Sequence, residues 1–184
     1  MSSTDPSALD RAADTTRRYR DAVERADVEA FMATLAPDVV LRSPITTRIE
    51  FRGHDEIRTL MRAVFASIRD IHYYADVGDA GTRALFYRAR VGRRPVEEAS
   101  LVRLGDDALV REITLWFRPL PGLTAVMGRL GPRLARERGP ARGALAAALV
   151  APLVMATRAG DAIAVALVGA GARPRDGAAG SRPS

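Results

Sequence analysis

Few residues in this chain can do acid–base chemistry in a buried setting, and their spacing narrows the choice. Glu98 lies in "VEEASLVRL", where apolar and polar residues alternate. In a strand, Glu98, Ser100 and Val102 share one face. If that face lines an apolar interior, the carboxyl loses hydration and its pKa rises, which suits proton transfer near neutral pH. The other reading puts Glu98 near a solvated strand end, paired with Arg90 or Arg93. Tyr19 brings a hydroxyl that either orients a ligand oxygen or satisfies a backbone partner in a core. His54 follows Gly53 at the start of a helical pattern. There the positive end of the helix favours a neutral ring, usable as donor or base, or the residue is simply structural. Glu98, Tyr19 and His54 are the candidate catalytic groups. The second histidine, His72, sits in a strand pattern opposite Ile71 and Tyr73 and receives no role. The two histidines have no ligand spacing and the chain has no cysteine. No metal site, cofactor, disulfide or thiol nucleophile is expected.

The elements that must hold these groups are readable from periodicity. "DPSALDRAADTTRRYRDAVERA" opens with Asp5 as N-cap and Pro6 in the first turn, which predicts a helix over about residues 6–25 with Tyr19 on its apolar face. Val28, Phe31, Met32 and Leu35 recur at helical spacing after Asp27, and Pro37 stops that second helix. "VVLRSPI" is β-branched and reads as a strand carrying Ser43 before Pro44. Residues 54–68 give a third helix with Ile57, Leu60, Met61, Val64, Phe65 and Ile68 on one stripe. From residue 71 the period becomes two. "IHYYADV", "TRALFYRARV", "VEEASLVRL" and "ALVREITLWF" are four strands separated by "GDAG", "GRRP" and "GDD", hence an antiparallel meander. On the last strand Ile113, Leu115 and Phe117 share one face, and Glu112, Thr114, Trp116 and Arg118 the other. Helices first and strands after describe an α+β domain with helices on one face of a bent sheet.

Charge is divided unevenly. All 28 basic residues are arginine; residues 1–118 hold 19 of them against 19 acids, and residues 119–184 hold 9 against 3. The final third also carries 7 of the 11 prolines and 10 of the 15 glycines, so a boundary falls near "FRPLPGL". Residues 123–138 read as a helix interrupted or kinked at Pro132. The uncharged run 143–157 contains Pro152 and is 15 residues long, shorter than the roughly 20 that a membrane span needs, so no span is expected. "DAIAVALVGAGA" reads as a separate short apolar run, and residues 173–184 as a disordered tail. The basic extension either packs on the domain or a partner subunit, or touches a membrane surface. Nucleic-acid binding is not expected, because no aromatic residue interleaves the arginines. "MSSTDPSALDRAAD" lacks the apolar core of a secretory signal, and a cytoplasmic location is expected.

Residues 8–121 resemble the nuclear transport factor 2-like superfamily, in particular its SnoaL-like members. The resemblance rests on "ADVEAFMATLAPDVVLRSP", "FRGHDEIRTLMRAVFASI" and "LVRLGDDALVREITLWFRPL" in that order and spacing. It implies a cone: a curved antiparallel sheet wrapped on three N-terminal helices, here with a helical C-terminal extension. The implied division is a domain at 1–121, an Ala/Leu/Arg-rich helical extension at 122–172 and the tail at 173–184. The group includes ketosteroid isomerases, limonene-epoxide-hydrolase-like enzymes, polyketide cyclases and proteins that only bind, so fold alone does not assign chemistry. In the isomerase branch the matching positions would be a tyrosine at Tyr19, an aspartate base at Ser43 and a second acid at Ser100. Only the tyrosine is kept, and a serine hydroxyl is too weak to abstract a proton unaided. The epoxide-hydrolase branch needs an arginine and an aspartate two apart where Glu98, Ala99 and Ser100 stand, and that arrangement is also missing. The cyclase requirement of a pocket carboxylate with a histidine or arginine can still be met.

The resulting expectation is a cone that holds a small apolar molecule of polyketide, steroid or terpenoid type, lined by Ser43, Ser100, Phe31, Leu35, Phe65, Val102, Leu115 and Phe117. Cofactor-independent isomerisation, cyclisation or hydration would be its chemistry. The alternative is a non-catalytic ligand-binding or oligomerisation module. Tyr73, Tyr74, Phe86, Tyr87 and Trp116 give the sheet an aromatic lining or an oligomer face, and a homodimer through the sheet is expected.

Overall fold

The computed structural model describes residues 6–137 and 139–168. In chain order the elements are α1 (Pro6–Glu24), α2 (Val28–Met32), β1 (Leu35–Arg42), β2 (Glu50–Arg52), α3 (Gly53–Phe65), β3 (Arg69–Gly78), β4 (Thr82–Val91), β5 (Arg94–Leu104), β6 (Val110–Arg118), α4 (Leu120–Arg136) and α5 (Pro140–Val168). The strands form one curved, unclosed sheet in the order β2-β1-β6-β5-β4-β3. Strands β3 to β6 are the expected antiparallel meander, whereas β1 lies parallel to β6. The concave side wraps the three N-terminal helices, giving an α+β cone with a helical C-terminal extension.

Alternation decides which side chains go inside. Leu85, Tyr87, Ala89 and Val91 on β4, Val96, Glu98, Ser100 and Val102 on β5, and Val110 and Ile113 on β6 are buried, while Trp116 is 52% exposed on the outer face. The helices close the core with Ala22, Val23, Phe31, Ile57 and Leu60. Two ties hold α1 to the edge strand β3. The Tyr73 backbone N–H donates to Glu24 at 2.6 Å. Asp76 accepts from the Thr16 hydroxyl and the Arg83 guanidinium, both at 2.7 Å, with Arg20 at 3.4 Å.

Three expectations need correction. Helix α2 ends at Met32, capped at its start by Asp27, and Leu35 already belongs to β1. Pro37 therefore does not stop a helix; it sits in the irregular start of a strand whose pairing with β6 shifts register between Leu35 and Val40. Pro132 lies inside α4, so it does not interrupt that helix. The two apolar runs after residue 143 form one helix, α5, of 29 residues with Pro152 inside. Its stretch Pro140–Thr157 is long and apolar enough to cross a membrane by length and composition. The expected tail at 173–184 lies outside the described residues.

Candidate functional site

The β4–β5 turn at Gly92-Arg93, with Gly92 at φ 63°, sets the register that builds the site. Counting back from the Val91–Arg94 pair places Tyr87 directly across from Glu98, and Glu98 pairs in turn with Phe117 on β6. Tyr73 faces Tyr87 from β3. Tyr73, Tyr87, Glu98 and Phe117 thus form a transverse row over four strands on the concave face. Their rings meet edge-on, Tyr73 to Tyr87 with centroids 5.2 Å apart and Tyr87 to Phe117 at 6.4 Å. Tyr19 descends on this row from α1, 6.5 Å from Tyr73 and 4.9 Å from Phe31.

The row forms the inner wall of a cavity of about 860 Å³. Its sides come from Leu60, Met61 and Val64 of α3, Ile71 of β3 and Leu115 of β6. Val126, Leu130 and Leu134 of α4 close another side. The mouth is rimmed by Ser43, Pro44, Ile45, Arg48 and Ile49 from the β1–β2 loop, and by Glu137 and Arg142 at the α4–α5 turn.

Glu98 is the carboxyl of the inner wall. It is 7% exposed, and its Oε2 accepts from the Tyr87 hydroxyl at 2.6 Å. Burial pushes its pKa from 4.5 up to about 8, with the Tyr87 hydrogen bond pulling part of the way back. At pH 7 the neutral acid therefore outnumbers the carboxylate roughly ten to one. Burial, reinforced by the Glu98 charge, also raises the pKa of Tyr19. Tyr73 and Tyr87 are raised well above the usual phenol value for the same first cause. All three hydroxyls stay protonated as donors.

The other candidates separate by position. Tyr19, Phe31, Ser43, Leu115 and Phe117 line the cavity with Glu98. Ser43 stands on the rim, and its Oγ accepts the Ile45 backbone N–H at 3.2 Å, a local turn contact. His54 is not at the cavity: Nε2 donates to the backbone carbonyls of Ala36 at 3.1 Å and Leu35 at 3.3 Å, which ties α3 to the start of β1. Leu35, Phe65, Ser100 and Val102 are buried in the core and do not reach the cavity. Leu35 is displaced because it is a strand residue, and Ser100 and Val102 because they sit farther along β5, under the packed helices. The Ser100 hydroxyl has no hydrogen-bond partner among the described residues. Glu98 is held by Tyr87 and not by Arg90 or Arg93; its neighbour Glu97, on the outer face, is the paired acid, with Arg88 at 3.3 Å and Arg118 at 3.1 Å. His72 is exposed beside Glu24. Among the described residues no cluster of His, Asp or Glu is placed to hold a metal ion.

Tyr87 is the partner of Glu98 that periodicity alone did not single out, although "GRRP" held the signal. A two-residue turn at Gly92-Arg93 fixes the Tyr87–Glu98 pair.

The profile of the SnoaL-like domain family matches residues 16–113. Curated protein sequences give no significant match. Among solved structures, the chain is similar to a steroid delta-isomerase from Pseudomonas aeruginosa, at 27% identity and TM-score 0.63 over 69% of this chain and 93% of that one. A ketosteroid isomerase-like protein from Kribbella flavida matches at 18% identity and TM-score 0.55, over 60% of this chain and 80% of that one. An epoxide hydrolase/cyclase-like enzyme of pyran ring formation in the polyether salinomycin matches at 12% identity and TM-score 0.52, over 59% and 92%. The last two likenesses speak to the fold alone.

Proposed function

The chain belongs to the SnoaL-like domain family, and we propose that its cone binds a small, largely apolar molecule bearing a hydrogen-bond-accepting oxygen. The observation that carries this reading is Glu98: a carboxyl held neutral at pH 7 on the inner wall of an apolar cavity. A neutral carboxyl has one O–H to give. With Tyr87 donating to Oε2, the proton resides on the second oxygen and is available to a ligand ketone, epoxide or ether. A hydrogen bond formed in such low-dielectric surroundings is stronger than in water. The steroid isomerase and cyclase-like neighbours suggest the ligand class, a polyketide-, steroid- or terpenoid-like compound. The chemistry open to the site is acid-assisted and cofactor-independent: isomerisation, cyclisation or hydration begun by proton donation from Glu98. A second reading, binding without turnover, is favoured by Ser43, whose hydroxyl stands at the place of the isomerase base and is occupied by the Ile45 N–H. The exposed outer sheet face, with Tyr74 and Trp116, is the surface we assign to a homodimer.

The test is a titration of the full chain with a naphthyl ketone dye whose emission reports polarity. Saturable blue-shifted binding is expected. Glu98→Gln, which keeps a donor, should bind within about threefold of wild type, and Glu98→Leu should lose roughly tenfold or more, the cost of one unmade hydrogen bond. No saturable binding, or undiminished binding by Glu98→Leu, refutes the reading.

A further inference from the structure

We propose that the α4–α5 hairpin docks the protein on an anionic lipid bilayer, with the cavity mouth at the membrane surface. Among the described residues, α5 is the one helix long and apolar enough to cross a membrane, over Pro140–Thr157, yet only 6% of that stretch is buried. Leu145 (61% exposed), Leu149 (70%), Met155 (62%) and Leu167 (78%) stand outside. A helix that is apolar on every free side is normally covered.

The way α5 is held says how a bilayer would cover it. Helix α4 runs antiparallel along Pro140–Thr157. The Thr124 and Thr157 hydroxyls are 2.9 Å apart. Gly128 leaves room for Val154 and Val150, and Gly143 lies against the Pro132 carbonyl. Helix α4 is itself fixed to the cone, with Gly122 against Val96 and with Ala125 and Val126 in the core. Pro140–Thr157 cannot stand upright in a bilayer without tearing α4 from the sheet. It must lie in the plane of the membrane surface, as interfacial helices do.

Charge selects the lipid. Residues 119–184 carry 9 arginines and 3 acids. Arg129, Arg133, Arg136 and Arg142 are exposed, and none is ion-paired among the described residues. Arginines beside an exposed apolar helix suit anionic headgroups over acyl chains. The same mixture continues onto the mouth, where Arg142 and Arg48 stand beside Ile45 (41% exposed) and Ile49 (48%). Three of the rim acids are engaged elsewhere, Glu50 with Arg42 and Arg52, Asp55 with Arg58, and Glu56 with the Arg52 backbone N–H, which leaves Glu137 against the arginines Arg48 and Arg142 in the charge of the mouth. A second copy of the chain would cover one face of α5 and leave a polar rim, as protein interfaces do. Lipid covers a convex apolar helix on all its free sides, with Arg142 and the α4 arginines reaching its headgroups. An apolar ligand dissolved in the bilayer would then meet the mouth directly. That route rests on the cavity reading above; the docking does not, so the dye titration and the experiment below fail separately.

Flotation of the full chain decides it. Vesicles of phosphatidylcholine mixed with phosphatidylglycerol should carry the protein, and raised salt or pure phosphatidylcholine should carry much less. The triple variant Leu145→Ser, Leu149→Ser, Met155→Ser changes exposed positions, so its cone should melt as wild type does, while its vesicle-bound fraction falls roughly tenfold or more. Arg129→Glu with Arg133→Glu should lower binding to the anionic vesicles alone. Absence of flotation, equal flotation of the serine variant, or a vesicle-indifferent dimer that the serine substitutions dissociate would each overturn the proposal.

Discussion

Replacing Glu98 by glutamine turns the buried acid into a neutral isostere, and the effect is legible in how stability depends on pH. In the folded chain the Glu98 pKa is about 8 against an ordinary 4.5, with burial the first cause. Between those values the native protein keeps a proton that the unfolded chain has released. Stability must therefore fall as pH rises, by up to about 1.36 kcal/mol per pH unit. Below the lower value both states are protonated and nothing is lost; above the upper one both are ionised and the loss is complete. Across the interval it accumulates to about 5 kcal/mol. Glutamine does not titrate, and its carbonyl can still accept the Tyr87 hydroxyl. Urea unfolding of both proteins at matched ionic strength, from about pH 3.5 to about pH 9, gives the comparison. The other carboxylates titrate in both proteins and cancel in the difference. Tyr19, Tyr73 and Tyr87 stay neutral throughout, because burial raises each of them. The variant should match wild type at the acid end and exceed it by about 5 kcal/mol at the alkaline end. Parallel curves would show that Glu98 is ionised and solvated at neutral pH, and the reasoning about the cavity would go with them.

Tyr87→Phe removes the donor to Glu98 Oε2, a contact that holds the carboxyl pKa down. The variant should lose about 1–3 kcal/mol at pH 6, and its alkaline loss of stability should end at higher pH than in wild type; an end point moving down would refute the assignment. Asp76→Asn breaks a pairing in which the Asp76 and Arg83 side chains are 8% and 9% exposed, and should cost about 3–5 kcal/mol in thermal or urea unfolding. Arg88→Ala, at an outer-face pair whose arginine is 67% exposed, should change stability by less than about 1 kcal/mol.

What the sequence displayed was periodicity, and what it hid was register. The strands from residue 69 onward and the inward face of β5 follow from alternation and the α3 stripe from helical spacing, because side-chain period is local. Whether Glu98 reaches a cavity or a rim depends on which residue of β4 stands opposite it, and that is decided by the length of the turn between them. The helix-like recurrence of Phe31, Met32 and Leu35 misled for a related reason. An i+4 spacing survives a change from helix to strand, and only the irregular β1–β6 pairing places Leu35 in the sheet. In α5, Pro152 and the charges at Arg158 and Asp161 split one helix into two apparent runs, since composition is blind to a helix that packs along a neighbour. His54 could not be located from its helix-start position, because the carbonyls that hold it belong to a strand nearly twenty residues earlier.

Register also bears on what kind of chemistry the cone can host. Ser43, on the rim, is uncharged and too weak a base to remove a carbon-bound proton unaided. In this chain the acid sits in the inner wall instead, opposite Tyr87, and the same burial that puts it in the cavity makes it neutral. Its neighbours Tyr19, Tyr73 and Tyr87 are hydroxyls raised by burial as well, so the inner wall is a set of donors with no charged acceptor among them. Such a wall stabilises negative charge growing on a ligand oxygen and leaves removal of a carbon-bound proton unassisted. A turnover run here must return its proton to Glu98, or pass it to water entering at the mouth. A wall of donors is also a good recogniser of carbonyl compounds, and binding asks nothing more of it.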